Sequence, residues 1–212
     1  MHEILDTLGR LGVVPVVKIE RAEDAVELGR ALLAGGLPCA EITFRTAAAG
    51  EAIRRISSSL PDITLGAGTV LTVDQADRAV SAGAKFIVSP GFNQNVVDWC
   101  LQNEIPVTPG VATPTEIDMA LDKGLDILKF FPAEASGGIK MLKAIAAPYV
   151  GVKFIPTGGI NQDNLADYLA HPSVHCCGGS WLVKANLISE GRFDEITQLA
   201  RDAMSVVRRV RG

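Results

Sequence analysis

The stretch Ile127-Leu128-Lys129-Phe130-Phe131-Pro132-Ala133 sets one lysine inside an apolar run too short to span a membrane and rich enough for a buried strand. Burying a charged amine is costly, so a lysine there either pairs with a carboxylate or gives up its proton. A neutral amine attacks a ketone and forms a Schiff base. Strand alternation places Ile127, Lys129 and Phe131 on one face and Leu128 and Phe130 on the other. Lys129 is therefore the candidate nucleophile. The competing reading is a lysine that extends past a strand end or serves only as a charge partner.

A second strand-like run ends Glu41-Ile42-Thr43-Phe44-Arg45. Period two puts Glu41, Thr43 and Arg45 on one face, with Ile42 and Phe44 on the other. A carboxylate, a hydroxyl and a guanidinium on one face provide a proton carrier and an anion clamp, although a self-satisfied Glu41–Arg45 pair would also explain them. Gly66-Ala67-Gly68-Thr69 offers close backbone approach and a hydroxyl. Val88-Ser89-Pro90-Gly91 ends another run with a proline where a ladder would stop. Pro156-Thr157-Gly158-Gly159 and Gly178-Gly179-Ser180-Trp181 carry glycine pairs of the kind that cradle a phosphate on backbone N–H groups.

These residues need a scaffold that brings strand ends together. The chain has 212 residues, 48% of them hydrophobic, with 20 basic against 24 acidic side chains, and is expected to fold as a single domain over 1–212. Strand-like runs start near Val13, Cys39, Thr64, Phe86, Pro106, Ile127, Val152 and His175, with helical patterns between them. Thr72, Asn93, Thr113, Ser136 and Asn161 are the expected helix N-caps. Residues 2 to 11 form an expected amphipathic helix ahead of the first strand, on Ile4, Leu5, Leu8 and Leu11. Residues 193 to 210 form a covering helix on Phe193, Ile196, Leu199, Ala203, Val206 and Val210. Eight βα units predict an α/β fold, a single (β/α)8 TIM barrel with an N-terminal helix. An open doubly wound sheet is the runner-up, disfavoured because Val17-Lys18-Ile19-Glu20 ends the first strand with no glycine cluster. In such barrels the chemistry sits at the C-terminal ends of the strands, where Lys129, Glu41, Arg45, Thr69, Pro90 and the glycine pairs fall.

A 2-keto acid phosphate suits that set: Lys129 to form an imine, Glu41 to move protons, Arg45 and Thr69 to hold a carboxylate, and the glycine pairs to hold the phosphate. The motifs Glu41-Ile42-Thr43-Phe44-Arg45-Thr46, Gly66-Ala67-Gly68-Thr69-Val70, Lys129-Phe130-Phe131-Pro132-Ala133, Pro156-Thr157-Gly158-Gly159-Ile160 and Gly178-Gly179-Ser180-Trp181-Leu182-Val183 resemble those of the bacterial KDPG/KHG aldolase family. Its members cleave 2-keto-3-deoxy-6-phosphogluconate (KDPG) or 4-hydroxy-2-oxoglutarate (KHG). The resemblance covers nearly the whole chain in order. It implies that Lys129 is the Schiff-base lysine and Glu41 the proton shuttle. Substrate binding would fall to Arg45, Thr69, Pro90, Phe131 and Thr157, and phosphate binding to Gly158, Gly159, Gly179 and Ser180. It further implies a homotrimer in the Entner–Doudoroff pathway, with no metal and no cofactor. Phe44 departs from the smaller aliphatic residue expected there, on the face turned towards the helices.

Other readings compete. An aldolase of the same family specific for the C4 epimer, the phosphogalactonate, would carry the same residues; a phosphosugar isomerase, epimerase or synthase on a similar barrel would use a carboxylate pair or a metal, and a phosphate-ligand sensor would need no nucleophile. His171, His175, Cys176 and Cys177 lie close in sequence, but alternation sends the two cysteines to opposite faces and no second ligand pair has zinc-like spacing. Trp99 with Cys100 reads as packing, and Arg208, Arg209 and Arg211 as a solvated helix end. Lys18, near the end of strand one, reads as a structural residue or an accessory anion contact, and Lys184, just past strand eight, as a supplement to the phosphate site. A formal charge of −4, no long basic run before the last five residues, and no long apolar stretch disfavour nucleic-acid or membrane partners. The four cysteines read as reduced, and the N-terminal residues lack an export signal, so a cytoplasmic location is expected.

Overall fold

A computed structural model describes residues 3–212. Helix α1 (Glu3–Leu11) leads into β1 (Val13–Val17), and its buried Leu5 and Leu8 anchor it to the core. The expected start at residue 2 lies outside the described residues. From there strands alternate with helices: α2 (Ala25–Ala34), β2 (Cys39–Thr43), α3 (Ala49–Ser59), β3 (Thr64–Gly68), α4 (Val73–Ser81), β4 (Phe86–Val88) and α5 (Gln94–Gln102). Next come β5 (Val107–Thr108), β6 (Gly110–Val111), α6 (Pro114–Leu121), β7 (Ile127–Phe130), α7 (Gly138–Ala146), β8 (Lys153–Pro156), α8 (Leu165–Leu169), β9 (Cys177–Gly179), α9 (Ala185–Ser189) and α10 (Phe193–Arg211).

All strand pairs are parallel. Six strands form one curled sheet in the order β5-β4-β3-β2-β1-β9, and three form a second, β6-β7-β8. The eight-stranded ring expected from the repeat is thus described as two sheets. Pro109, which has no N–H to donate, separates β5 from β6, while its carbonyl still accepts from the Lys129 N–H at 3.0 Å. Between β8 and β9 the pairing is reduced to two isolated parallel bridges, Phe154 to Val174 and Thr157 to Gly178.

Local chemistry explains most helix starts. Thr72 and Asn93 accept backbone N–H bonds at the starts of α4 and α5, and Thr113 with Glu116 closes a reciprocal capping box at α6. Two expected caps differ. Ser136 lies inside a turn, and α7 starts at Gly138 because Gly137 (φ 111°) and Gly138 (φ 65°) take a left-handed backbone that redirects the chain. Asn161 accepts from the N–H groups of Asp163 and Asn164, which caps a preliminary turn, and α8 begins only at Leu165.

Helix α10 covers the structure as expected, but Ala200, Met204 and Val207 are buried while Leu199 and Val210 are only partly so. Arg211 also differs from a solvated helix end. Its guanidinium donates to the carbonyls of Val174 and His175 at 2.7 Å, Leu169 at 3.2 Å and Gly9 at 3.3 Å, tying α10 to the segments beneath the strands. All four cysteines are free and buried.

Candidate functional site

A cleft of about 480 Å3 opens at the C-terminal ends of the strands. Lys129, Glu41, Arg45, Thr69, Pro90 and Phe131 line it, and the Thr157-Gly158-Gly159 turn and Ser180 complete its wall. Ten of the eleven positions expected at the site therefore converge there. Gly179 does not. Alternation turns Gly178 towards the cleft and Gly179 away, so that a β-carbon at 179 would meet the Trp181 ring. Lys18 and Lys184, held outside the expected site, also line the cleft. Their signal was positional, since Lys18 follows the last residue of β1 and Lys184 opens α9.

Lys129 and Glu41 form the centre. Their backbones lie on β7 and β2, and Lys129 Nζ stands 3.7 Å from Glu41 Oε1 with both side chains 5% exposed. The alternative Glu41–Arg45 pair does not form; Arg45 Nε instead donates to Thr43 Oγ1 at 3.1 Å, and Thr43 donates to the Val17 carbonyl at 2.7 Å. Lys129 Nζ also lies 5.0 Å from the Phe131 ring centre, consistent with their shared strand face. Leu128 and Phe130, on the other face, are fully buried against the helices.

Small residues make the room. Gly68 pairs with Thr43 across β2 and β3, and any β-carbon there would run into the Glu41 carboxylate. Gly178 leaves space for the Thr157 hydroxyl in the same way. Thr69 follows at φ 54°, a left-handed conformation unusual for a β-branched residue, in the wall of the cleft. Gly158 (φ 97°) and Gly159 (φ 84°) likewise need conformations that favour glycine. Their turn is pinned where Ala133 and Glu134 donate to the carbonyls of Thr157 and Gly158 at 2.8 and 3.0 Å. At the rim Lys18 pairs with Glu20 at 2.7 Å, both about half exposed.

The arrangement combines a buried amine beside a carboxylate with a rim carrying Arg45, Lys18 and Lys184. That chemistry suits a nucleophile working on an anionic carbonyl compound. His171 and His175 are engaged elsewhere: His171 Nδ1 accepts from the Ser173 N–H, and His175 Nε2 contacts the Leu5 carbonyl at 2.7 Å. Among the described residues no group of three or more His, Cys, Asp or Glu is placed to hold a metal ion.

Comparison with known proteins agrees with this geometry. The chain is 53% identical over 207 residues to a 2-dehydro-3-deoxy-phosphogluconate aldolase of Treponema pallidum, covering 98% of this chain and 99% of the relative. It is 47% identical over 192 residues to the KHG/KDPG aldolase of Escherichia coli K12, covering 91% and 90%. A Legionella pneumophila KDPG aldolase, crystallised with pyruvate captured at low pH as a covalent carbinolamine intermediate, superposes with a TM-score of 0.91 at 42% identity, covering 94% of this chain and 97% of that one. Residues 4–199 match the sequence profile of the KDPG and KHG aldolases, and the chain belongs to that family.

Proposed function

We propose that the chain is a class I aldolase that cleaves 2-keto-3-deoxy-6-phosphogluconate to pyruvate and glyceraldehyde 3-phosphate, and also 4-hydroxy-2-oxoglutarate to pyruvate and glyoxylate. The observation that carries this reading is the buried Lys129–Glu41 pair, 3.7 Å apart at the floor of the cleft. It puts a nucleophile next to a proton carrier in a setting sheltered from water.

Neutral Lys129 Nζ attacks the C2 carbonyl carbon, the carbonyl oxygen takes a proton, and loss of water leaves an iminium. Glu41 removes the proton of the C4 hydroxyl. The C3–C4 bond breaks, C4 leaves as the aldehyde carbon, and the bonding electrons pass through C2 to the nitrogen as an enamine. Glu41 then returns its proton to C3. Water adds at C2, pyruvate departs and the amine is regenerated.

Arg45 and Thr69 hold the substrate carboxylate, since a fork of donors matches its two oxygens. Pro90 and Phe131 wall the pyruvate end, Thr157 faces the aldehyde end, and Gly158, Gly159, Gly179 and Ser180 receive the phosphate, the glycines through backbone N–H groups, with Gly178 beside them in the cleft wall. No metal or organic cofactor enters the scheme. In this reading the two sheets are arcs of one (β/α)8 barrel and residues 1–212 one domain. The carbonyl of Pro109 bonded to Lys129 and the Thr157–Gly178 bridge support that continuity. A cytoplasmic homotrimer completes the proposal, and sedimentation equilibrium tests the assembly.

The test of the reaction is incubation with pyruvate, reduction with borohydride and peptide mass spectrometry. A reduced pyruvyl adduct on Lys129, with pyruvate release from KDPG in a lactate dehydrogenase assay, is the expected result. A folded protein that yields no adduct refutes the covalent scheme.

A further inference from the structure

Beneath the floor of the cleft lies a second, much smaller cavity of about 10 Å3. Glu41, Lys129, Thr108 and Thr157 supply its polar lining, and Leu8 of α1 with Val14 of β1 helps to wall it. Among the described residues three buried side-chain polar atoms have no hydrogen-bond partner: Glu41 Oε1, Thr108 Oγ1 and Trp181 Nε1. Two of those three residues, Glu41 and Thr108, line this cavity, at 4% and 1% exposure.

A cavity of this size holds roughly one water, provided that the water finds two to four polar partners. Those partners are present. Glu41 Oε1 accepts, the Thr108 hydroxyl both donates and accepts, and Lys129 Nζ donates. Thr157 Oγ1 gives its proton to the Ile155 carbonyl at 3.3 Å and keeps a lone pair for a donor. An unpartnered hydroxyl at position 108 would be worse than a methyl group, because its desolvation goes uncompensated.

We propose that this cavity is the binding site of a single water that joins Thr108 Oγ1 to Glu41 Oε1 under the amine, and that Thr108 is thereby a positioning residue for the proton carrier. The bridge fixes one carboxylate oxygen below the floor and leaves the other for the cleft, which Glu41 also lines. The water site stands on the geometry alone; its kinetic consequence rests on the aldolase reading.

Two variants separate the hydroxyl from its packing. Thr108→Val keeps the shape and removes the hydroxyl; Thr108→Ser keeps the hydroxyl and removes a methyl. The expected result is a lower thermal midpoint for the valine variant and a kcat reduced about tenfold at unchanged KM, with kcat restored in the serine variant. A valine variant as stable and as active as wild type overturns the proposal. Should it fail to fold, a wild-type crystal structure at high resolution decides, since a water must appear within hydrogen-bond distance of both Thr108 Oγ1 and Glu41. Empty density there overturns the proposal. Borohydride trapping with pyruvate on the wild type separates the two readings, because failure to trap refutes the aldolase while leaving the density and the thermal midpoint to judge the water.

Discussion

Gly68 is the residue that lets Glu41 reach Lys129. Paired with Thr43 in the ladder between β2 and β3, it leaves open the space that the Glu41 carboxylate fills, and a β-carbon there would collide with that carboxylate. Its backbone is not in the left-handed region, so the demand is for volume rather than for conformation. Gly68→Ala is therefore expected to displace Glu41 and lower kcat by about 100-fold, as misplacement of a catalytic group by an ångström does. Circular dichroism should show the fold retained. Wild-type turnover in that variant would mean that Glu41 does not work from this position.

Lys129 and Glu41 should separate imine formation from proton transfer. Lys129→Arg keeps the buried charge beside Glu41 but cannot form the imine, so trapping and turnover are both expected to vanish in a folded protein. Glu41→Gln is expected to trap pyruvate still, with turnover reduced about 10²- to 10⁴-fold. Lys129→Met strands a buried carboxylate and should lose about 3–5 kcal/mol of stability, measured by urea denaturation.

The two rim lysines should read the phosphate. Lys18→Met and Lys184→Met are each expected to raise KM for KDPG about two- to fivefold, the scale of an exposed charge contact. KM for 4-hydroxy-2-oxoglutarate, which carries no phosphate, should be unchanged. Equal effects on both substrates would place the lysines in general electrostatic attraction of anions.

Arg211 predicts stability without activity. Its four carbonyl contacts tie α10 to Gly9, Leu169, Val174 and His175 at the end away from the cleft. Arg211→Ala is expected to lose about 1–3 kcal/mol and to lower the thermal midpoint with kcat unchanged. Arg208→Ala, at an exposed position of the same helix, should do neither.

Alkali should destabilise the protein through its thiols. Burial pushes Cys100 and Cys176 up to about 12 from 9.0, and Cys39 and Cys177 well above 9.0. The folded state keeps protons that the unfolded state releases, so this stabilisation is complete below pH 9 and is lost as pH rises towards 12. The loss should be up to about 1.4 kcal/mol per pH unit per thiol. Urea midpoints at pH 8 and 11 are expected to differ accordingly, and Cys176→Ala should flatten the slope. The same thiols should resist Ellman's reagent at neutral pH until denaturant is added.

Much of the site was legible because strand periodicity is strict. Alternation alone put Lys129 with Phe131, and Glu41 with Arg45, on inward faces, and all four side chains line the cleft. Thr72, Asn93 and Thr113 could be read as caps because capping is a contact between near neighbours in sequence. Ser136 and Asn161 were misplaced where glycine conformations and a preliminary turn moved the helix starts.

What the amino-acid sequence determined by itself was thus everything local: the βα repeat, the faces of the strands, the buried lysine, and the motifs that mark the family. Packing across strands settled the rest: Glu41 pairs with Lys129 rather than with Arg45, the side-chain direction at Gly178 and not at Gly179 points into the cleft, and Arg211 braces the opposite end. It also brought Thr108 to the same small cavity as Lys129 and Glu41, which lie 21 and 67 positions away in the chain. Contacts across strands depend on register and on which side chains share a volume, and neither is encoded in the spacing along any one segment.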